Sequence, residues 1–400
     1  PRPRQETLMA LTTDDAVAGA PRVVETPIIS ADSHITEPGW TYVDNIDPAF
    51  RDRAPYLVDE QPDGAAFHVP GMPQVIHLGL HSAAGRASDA LQMRGTPFAD
   101  LHRAGWDAEA RVDAQRTDGI DGEVIYPSVG MLLCNHPDLD LKKAMFDAYN
   151  RWIADYCAVD PSRLYGCGQT AMRTPEEGIA DLEAIKAAGL RGVMLPGTPG
   201  PAYEDGPDYD DPAWDDVWRA AIDLELVLSF HILTGKSYQP RGPKLNNFMS
   251  IIRGNQDLIG TFVFGGVFDR VPDLQIVCVE ADAGWVPHYS YRMDHAYHRH
   301  RNWLKGGLAD LERKPSEYFA DHIYVTFQDD WSAFRMAEAG LINPDRLLWA
   351  NDFPHSDSTW PFSQHMLADQ TAALPDEATR QILGGNTVEL YKLHDVVGRS

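Results

Sequence analysis

The 400-residue sequence lacks several features that would assign it to a common class of protein. No apolar run approaches the roughly 18 residues of a transmembrane helix, and no signal-peptide pattern opens the chain. Basic residues are scarce, since 34 Lys and Arg stand against 59 Asp and Glu and the formal net charge is −25. This acidity argues against nucleic acids and anionic membranes as partners, because both repel a negatively charged surface.

Cysteine is also scarce. The four cysteines are scattered, without a CxxC motif or a disulfide-like spacing, which indicates a reducing, cytoplasmic location. No Gly-x-Ser-x-Gly sequence is present, so a serine hydrolase is disfavoured. Cys278 lies inside an apolar run and is expected to be a core residue and not a nucleophile. The cysteines are Cys134, Cys157, Cys167 and Cys278.

Eight short apolar runs of strand length recur along the chain. Continuous apolar runs of this length are typical of strands that are buried on both faces, as in parallel sheets. The runs lie at residues 27–34, 123–126, 164–167, 192–195, 226–230, 274–279, 323–327 and 347–350.

Segments of helical periodicity separate these runs, for example at residues 107–117, 139–159, 174–188 and 211–224. Alternating strands and helices predict parallel βαβ units, and eight of them predict an α/β fold of the distorted (β/α)8 TIM-barrel type. An open doubly wound sheet is the alternative, but no Gly-rich phosphate loop follows the first strand.

Two segments depart from a minimal barrel. Residues 1–26 lack apolar periodicity and are interpreted as an extended N-terminal arm that precedes a barrel domain over residues 27–395. Residues 35–105 are rich in Gly, Pro and His and are interpreted as an insertion after strand one. We expect a small β-rich flap there, over the face of the barrel where functional loops gather.

Polar residues that can bind metals stand where several predicted strands end. Because parallel strands of a barrel all end at one rim, these side chains should converge, and their N and O donors suit zinc, manganese or ferrous iron. Asp352 in particular follows a hydrophobic strand, where an ionised carboxylate is costly unless a cation meets it. The candidate metal ligands are Asp32, His34, His231, Glu280 and Asp352.

Another histidine cluster is a weaker candidate. His295, His298 and His300 recur at helical spacing, but Tyr297 and Arg299 are interleaved with them. We interpret that segment as a solvated or subunit-facing helix.

Four motifs together resemble the amidohydrolase superfamily, and within it the amidohydrolase-2 branch that includes aminocarboxymuconate-semialdehyde decarboxylase. They are Asp32-x-His34-x-x-Glu37-Pro38, His231 at the end of strand five, residues 264–274, and residues 351–355. The resemblance covers roughly residues 27–395. It implies a distorted TIM barrel with a divalent metal, dimers, and either hydrolysis or non-oxidative decarboxylation.

Carried over residue by residue, the resemblance places Asp32 and His34 at the first ligand pair, His231 at the strand-five ligand and Asp352 at the strand-eight ligand. Two positions depart from the pattern: Asp32 replaces the usual His or Glu, and Glu280 stands where the decarboxylases usually have His. Strand four offers no bridging Lys, so one ion is expected. A second ion, bridged by Glu280 or Asp352, is the alternative.

Hydrolysis is the first functional hypothesis, chiefly because Glu280 replaces that His. A metal-activated water would attack an amide, ester, thioester or activated C–C bond of a small acid derivative. Asp352 would accept the proton, Glu280 would hold the water or join the ligands, and His355 would stabilise an oxyanion or protonate the leaving group.

The alternative hypothesis is a non-oxidative decarboxylase of an aromatic or muconate-type acid, in which Asp352 protonates the ring carbon. Arg241 and Arg292 are the candidates for a clamp on the substrate. A non-catalytic binding barrel is disfavoured, because all four main ligand positions hold ligand-type residues.

The expected partners are a small-molecule substrate and further copies of the chain, as a homodimer or higher homo-oligomer. Aromatic residues in the insertion and loops suggest an aromatic or polyketide-like substrate. They are Trp40, Phe67, Trp285, Trp331 and Trp360.

Overall fold

A computed structural model describes residues 21–200, 207–235 and 240–397, so most of the predicted arm lies outside the described residues. Eight parallel strands form a nearly closed barrel, which confirms the predicted TIM-barrel fold. In chain order the strands are β1 (Ile29–His34), β2 (Tyr56–Glu60), β3 (Gly64–His68), β4 (Ile76–His77), β5 (Gly122–Tyr126), β6 (Leu164–Gln169), β7 (Gly192–Leu195), β8 (Val227–His231), β9 (Ile276–Val279), β10 (Ile323–Phe327) and β11 (Leu347–Trp349).

Helices connect the barrel strands, and the predicted helical segments are confirmed within a few residues. Thr174 caps its helix as predicted, because its hydroxyl accepts the Glu177 backbone N–H at 3.2 Å. None of the helices in the described ranges is long and apolar enough to cross a membrane. The α-helices are Trp40–Val43, Ala108–Asp118, Val129–Leu133, Leu139–Cys157, Pro175–Ala187, Asp215–Asp223, Arg253–Phe264, Val267–Arg270, Val286–His300, Pro315–His322, Trp331–Glu338, Ser363–Gln370, Asp376–Arg380 and Asn386–Leu390.

The barrel strands β1 and β5–β11 are buried on both faces, as their continuous apolar sequences predict. Cys278 in β9 is fully buried, and burial raises the pKa of its thiol to about 12. A thiol that stays protonated in the core is a poor nucleophile. The expectation that Cys278 is a core residue is therefore confirmed.

The insertion after β1 contains a separate antiparallel sheet in the order β2–β3–β4. Its last part is hydrogen-bonded to the loop that follows β11. The backbone N–H groups of Ala83 and Ala84 donate to the Pro354 carbonyl at 2.8 and 3.0 Å, and Ser356 N–H donates to the Leu80 carbonyl at 2.9 Å. The insertion is thus fixed against the carboxyl-terminal rim of the barrel, where the notable polar residues lie.

β1 and β11 are the two ends of the barrel sheet, and the seam between them is closed by individual hydrogen bonds. His34 N–H donates to the Phe353 carbonyl at 2.7 Å, and Asp352 N–H donates to the Asp32 carbonyl at 3.1 Å. β1 also carries an irregularity between Ser30 and Ser33 in its pairing with β5. Bulges of this kind re-aim side chains and are common beside active sites.

Arg111 ties the two sides of this seam together from the helix Ala108–Asp118. Its fully buried guanidinium donates to the His34 carbonyl at 2.6 Å and to the Phe353 carbonyl at 3.1 Å. Its Nε donates to the Glu123 carboxylate of β5 at 2.5 Å. The planar guanidinium can bond to several acceptors at once, which a Lys ammonium could not do in the same geometry.

Asn351 extends the network below the rim. Its side-chain oxygen accepts from the Ser30 hydroxyl at 2.9 Å, and its side-chain nitrogen lies 3.2 Å from Asp118 and 3.4 Å from Glu123. Burial raises the pKa of Asp118 to about 7. Because Asn351 directly precedes Asp352, this network fixes the backbone from which Asp352 projects.

We predict that Arg111→Met lowers the free energy of unfolding by about 3–5 kcal/mol, because it leaves the Glu123 carboxylate buried without its cation. Arg116→Met, on the exposed side of the same helix, should change it by no more than about 0.5 kcal/mol. Chemical denaturation measures both. The double variant Arg111→Met/Glu123→Gln should recover part of the lost free energy of unfolding. Equal stability of Arg111→Met, Arg116→Met and the double variant would contradict a stabilising ion pair between Arg111 and Glu123.

Candidate metal centre

The five residues predicted as metal ligands converge at the carboxyl-terminal rim of the barrel. Asp32 and His34 belong to β1, and His231 ends β8. The two Nε2 atoms of His34 and His231 lie 3.1 Å apart, and they lie 3.3 and 3.6 Å from Asp32 Oδ1. Glu280 follows β9 and Asp352 follows β11, on the same rim.

The spacing of these donors matches the coordination shell of a small divalent cation. Metal–ligand bonds of about 2.1 Å place neighbouring ligand atoms about 3.0–3.4 Å apart in octahedral or tetrahedral geometry. The triangle formed by Asp32, His34 and His231 has edges of 3.1–3.6 Å. A cation at its centre would therefore meet all three atoms with little rearrangement.

The tautomers of His34 and His231 also favour a cation between their Nε2 atoms. Nδ1 of His34 lies 3.0 Å from the Pro127 carbonyl, and Nδ1 of His231 lies 3.1 Å from the Ile232 carbonyl. A carbonyl only accepts, so each Nδ1 carries the proton and each Nε2 points a lone pair at the other. Two lone pairs 3.1 Å apart repel unless a cation lies between them. A carbonyl that accepts the Nδ1 proton is a typical partner of histidines that bind a metal through Nε2.

Glu280 and Asp352 are the remaining members of the cluster, and the backbone of both residues is strained. Glu280 Oε2 lies 3.4 Å from His231 Nε2, and Asp352 Oδ1 lies 3.6 Å from His34 Nε2. Both residues have left-handed backbone, with φ of 55° and 50°. Residues other than Gly adopt this conformation at a cost, and such strain clusters at functional sites.

The charges of the cluster are unbalanced without a cation. Burial and the charges of Asp352 and Asp32 raise the pKa of Glu280 well above its usual value. Burial and the charge of Asp32 likewise raise the pKa of Asp352. Burial would also raise the pKa of Asp32, but the imidazoles of His231 and His34, whose Nε2 atoms lie 3.6 and 3.3 Å from Oδ1, outweigh it and hold that pKa well below its usual value.

Among the described residues, neither oxygen of Asp352 nor Oδ1 of Asp32 has a hydrogen-bond partner. Buried polar atoms are nearly always satisfied, so these orphaned oxygens mark a missing ligand. Carboxylate oxygens with neutral imidazoles are a donor set for divalent zinc, manganese or iron. The residues present fit a divalent metal ion.

His355 lies beside this cluster. Its Nδ1 is 3.1 Å from Asp352 Oδ1, its Nε2 is 2.8 Å from the Ser128 hydroxyl, and its ring stacks on His34 with centroids 3.8 Å apart. Burial, aided by His231, lowers the pKa of His355 to about 3, so the ring is neutral. His355 thus lies next to Asp352, and its role in stabilising an oxyanion or protonating a leaving group stays a prediction.

The sequence analysis missed Ser128 and the role of Glu37. Glu37 is fully buried, and its two carboxylate oxygens accept the backbone N–H groups of Val129 and Gly130 at 3.0 Å each. This contact holds the loop that presents Ser128 to His355. Glu37 could have been singled out because it belongs to the first motif, whereas nothing in the sequence connects Ser128 with a residue 227 positions later.

His81, in the insertion, was also missed. Its ring centroid lies 5.6 Å from that of His355, and its Nδ1 is buried without a hydrogen-bond partner. Burial lowers the pKa of His81 to about 3. The insertion thereby contributes a neutral imidazole to the edge of the site.

Other candidates lie elsewhere. Arg241 and Arg292, the predicted clamp residues, are both exposed. His295, His298 and His300 lie on the helix Val286–His300 and belong to neither metal-binding group that the described residues form. Of the aromatic residues, Phe67 is a core residue, Trp40 and Trp331 are largely exposed, and Trp360 packs against His102 and Phe353.

We predict that removal of divalent cations with a chelator lowers the melting temperature and that manganese restores it, because binding to the folded state alone stabilises it by about 2.7 kcal/mol at a free concentration 100 times Kd. His231→Ala should abolish the manganese-dependent shift, while His298→Ala, on an exposed helix, should retain it. Thermal unfolding with and without manganese measures the shift. Equal shifts in both variants would rule out His231 as a ligand.

Comparison with known proteins identifies relatives in sequence and matches in fold. The chain is 22% identical over 319 residues to the 2-amino-3-carboxymuconate-6-semialdehyde decarboxylase of Dictyostelium discoideum, covering 76% of this chain and 81% of that protein. Its fold matches an amidohydrolase of Mycobacterium avium subsp. paratuberculosis with a TM-score of 0.72 at 17% identity, covering 92% of this chain and 98% of that one.

A further match is the 5-carboxyvanillate decarboxylase of Novosphingobium aromaticivorans, whose structure holds manganese and 4-hydroxy-3-methoxy-5-nitrobenzoic acid. Its TM-score is 0.63 at 18% identity, over 92% of this chain and 96% of that one. The sequence profile of the amidohydrolase family matches residues 78–393, so it begins after Asp32 and His34. This match spans most of the chain, and the protein therefore belongs to the amidohydrolase family, in agreement with the branch that its motifs predict.

Proposed function

We propose that this protein is a metal-dependent, non-oxidative decarboxylase of an aromatic or muconate-type carboxylic acid. The observation that carries the proposal is its similarity to decarboxylases, of which one is a sequence relative and another binds manganese with a nitrobenzoic acid. Such comparisons favour decarboxylation over the hydrolysis expected from Glu280. The donor set at the rim supports it, since carboxylates and imidazoles suit manganese.

In this proposal Asp32, His34, His231 and Asp352 hold the metal ion. The first three form the triangle with edges of 3.1–3.6 Å, and Asp352 Oδ1 lies 3.6 Å from His34 Nε2. When bound, the divalent cation would orient the substrate carboxylate and a neighbouring oxygen and stabilise negative charge that develops on them.

Asp352 is the proposed proton donor. Its Oδ1 faces His34 and His355, which leaves Oδ2 for the substrate. Oδ2 would pass its proton to the carbon that bears the carboxylate. The C–C bond then breaks, its electron pair returns to the ring, and carbon dioxide leaves. A proton from solvent restores Asp352, so the net reaction exchanges the carboxylate for hydrogen.

His355 and Ser128 orient the proton donor. The Ser128 hydroxyl lies 2.6 Å from the Ile35 carbonyl, to which it donates, so it must accept from His355 Nε2 at 2.8 Å. This chain holds the imidazole in one orientation against Asp352. Orienting a reacting group lowers the entropy that must be lost on reaching the transition state.

Hydrolysis remains the second candidate because of Glu280. Its side chain is 15% exposed, whereas those of Asp32 and His34 are fully buried, so it reaches toward the opening of the site. From there Glu280 would accept a proton from an attacking water.

The predicted homodimer or higher oligomer and the cytoplasmic location both stay predictions. The part of the helix Val286–His300 that carries His295, His298 and His300 was interpreted as either solvated or subunit-facing. Size-exclusion chromatography with light scattering measures the oligomeric state.

The decisive experiment is carbon dioxide release by manganese-loaded protein from hydroxybenzoates that carry a carboxylate beside a phenol, such as 2,6-dihydroxybenzoate and 5-carboxyvanillate. Asp352→Asn should lower kcat by about 10²–10⁴-fold, the usual contribution of a general acid. Asp369→Asn, the same change on an exposed helical position, should leave kcat unchanged.

The alternative outcome is equally specific. Turnover of esters or amides without carbon dioxide release, abolished by Glu280→Gln, would reject decarboxylation in favour of hydrolysis. Full decarboxylase activity in Asp352→Asn would reject Asp352 as the proton donor.

A further inference from the structure

The turn that follows β5 contacts two imidazoles of the site, and we call residues 127–130 the β5 turn. The Pro127 carbonyl lies 3.0 Å from Nδ1 of His34, and the Ser128 hydroxyl lies 2.8 Å from Nε2 of His355. His34 is a proposed metal ligand, and His355 is proposed to orient the proton donor. Because Pro127 and Ser128 are adjacent in the chain, the position of one turn determines the hydrogen-bond partners of both rings.

Ser128 directly precedes the short helix Val129–Leu133 but does not cap it. A Ser at this position usually accepts a backbone N–H of the first helical turn through its hydroxyl oxygen. Here the side chain of Ser128 makes no such hydrogen bond. Its hydroxyl donates to the Ile35 carbonyl at 2.6 Å and accepts from His355. The hydroxyl can hold the imidazole only because it is not needed as a helix cap.

Glu37 supplies the cap that Ser128 does not. Its two carboxylate oxygens accept the backbone N–H groups of Val129 and Gly130 at 3.0 Å each. Buried backbone donors need such partners, and the Glu37 side chain is itself fully buried. Glu37 lies two residues after Ile35, so the chain beyond β1 contacts the β5 turn at two neighbouring points. These contacts continue the pairing of β1 with β5 past the ends of the strands.

The other side of the β5 turn packs closely against β6. Gln169 Nε2 donates to the Gly130 carbonyl at 3.0 Å. A Cβ atom at Gly130 would lie 2.3 Å from Gln169 Oε1 and 2.7 Å from Pro127 Cβ, so a larger residue would force the turn to shift. The β5 turn is thus held between Glu37 and Gln169, with no room for a side chain at Gly130.

We propose that Glu37 is a positioning residue that orients both His34 and His355 through the β5 turn. Through Pro127 it fixes the acceptor on Nδ1 of His34, and such partners of a ligating imidazole raise its affinity for metal. Through Ser128 it fixes the ring of His355 beside the proton donor. This inference rests on the proposed roles of His34 and His355, and it gives Glu37 an effect on the site without contact with metal or substrate.

The test compares Mn²⁺ affinity, measured by calorimetry, with carbon dioxide release at saturating Mn²⁺, at a temperature where each variant is fully folded. Glu37→Met removes both acceptor oxygens at similar volume and should lower Mn²⁺ affinity and kcat by about 10–100-fold each. KM should stay unchanged, because Glu37 does not touch the substrate. Glu37→Gln keeps one acceptor oxygen and should give intermediate values. Glu109→Met, at an exposed helical position, should leave affinity and kcat unchanged.

A further variant moves the β5 turn while Glu37 stays in place. Gly130→Ala should reproduce the losses of Glu37→Met, and with Glu37→Gln it provides the test if Glu37→Met does not fold. A lower melting temperature of the Glu37 variants with wild-type Mn²⁺ affinity and kcat would overturn the proposal and leave Glu37 a purely structural residue. Wild-type values in Gly130→Ala would also overturn it. Because Mn²⁺ affinity is measured without turnover, absence of carbon dioxide release by the wild type would reject only the proposed decarboxylation.

Discussion

The buried guanidinium of Arg111 holds together the part of the barrel on which the metal centre depends. β1 supplies two of the proposed metal ligands and the chain after β11 supplies a third, yet these strands are the two ends of the sheet. Arg111 donates to the carbonyls of His34, a proposed metal ligand, and of Phe353, which follows the proposed ligand Asp352. Its charge is balanced by Glu123. The two halves of the site are therefore joined by this guanidinium and by individual backbone hydrogen bonds, and not by a continuous ladder.

At the rim above Arg111, the site gathers negative charge that the surrounding protein does not neutralise. The carboxylates of Asp32, Glu280 and Asp352 lie around neutral imidazoles, and two of them project from strained backbone. Each feature costs free energy in the metal-free protein. A bound cation would offset the repulsion and would be held more tightly because the donors are already in place. The free-energy cost of bringing these donors together and their affinity for a cation thus have the same origin.

The barrel and the convergence of the proposed metal ligands at its rim were predictable because both depend on local patterns. Buried parallel strands read as apolar runs, and the residue after each run lies on a known rim. Arg111, Ser128 and His81 were not predictable in this way, since their roles depend on partners distant in sequence. Arg111 lies in a helix whose sequence is polar and amphipathic, and only the fold reveals that its acceptors are the carbonyls of β1 and of the loop after β11. Glu280 lies at the predicted rim, but as an argument for hydrolysis it is weaker than the similarity to decarboxylases on which the proposed function rests.

Backbone hydrogen bonds between the insertion and the loop after β11 fix the scaffold of the site, whereas side chains of the insertion form its opening. Ala83, Ala84 and Leu80 are joined to Pro354 and Ser356 through backbone atoms alone, so these contacts are indifferent to side-chain identity. Side chains such as His81 can therefore be exchanged during evolution without displacing Asp352 or His355. A lineage could change what enters the site while it inherits the metal-binding arrangement intact, and substrate preference would drift faster than the chemistry itself.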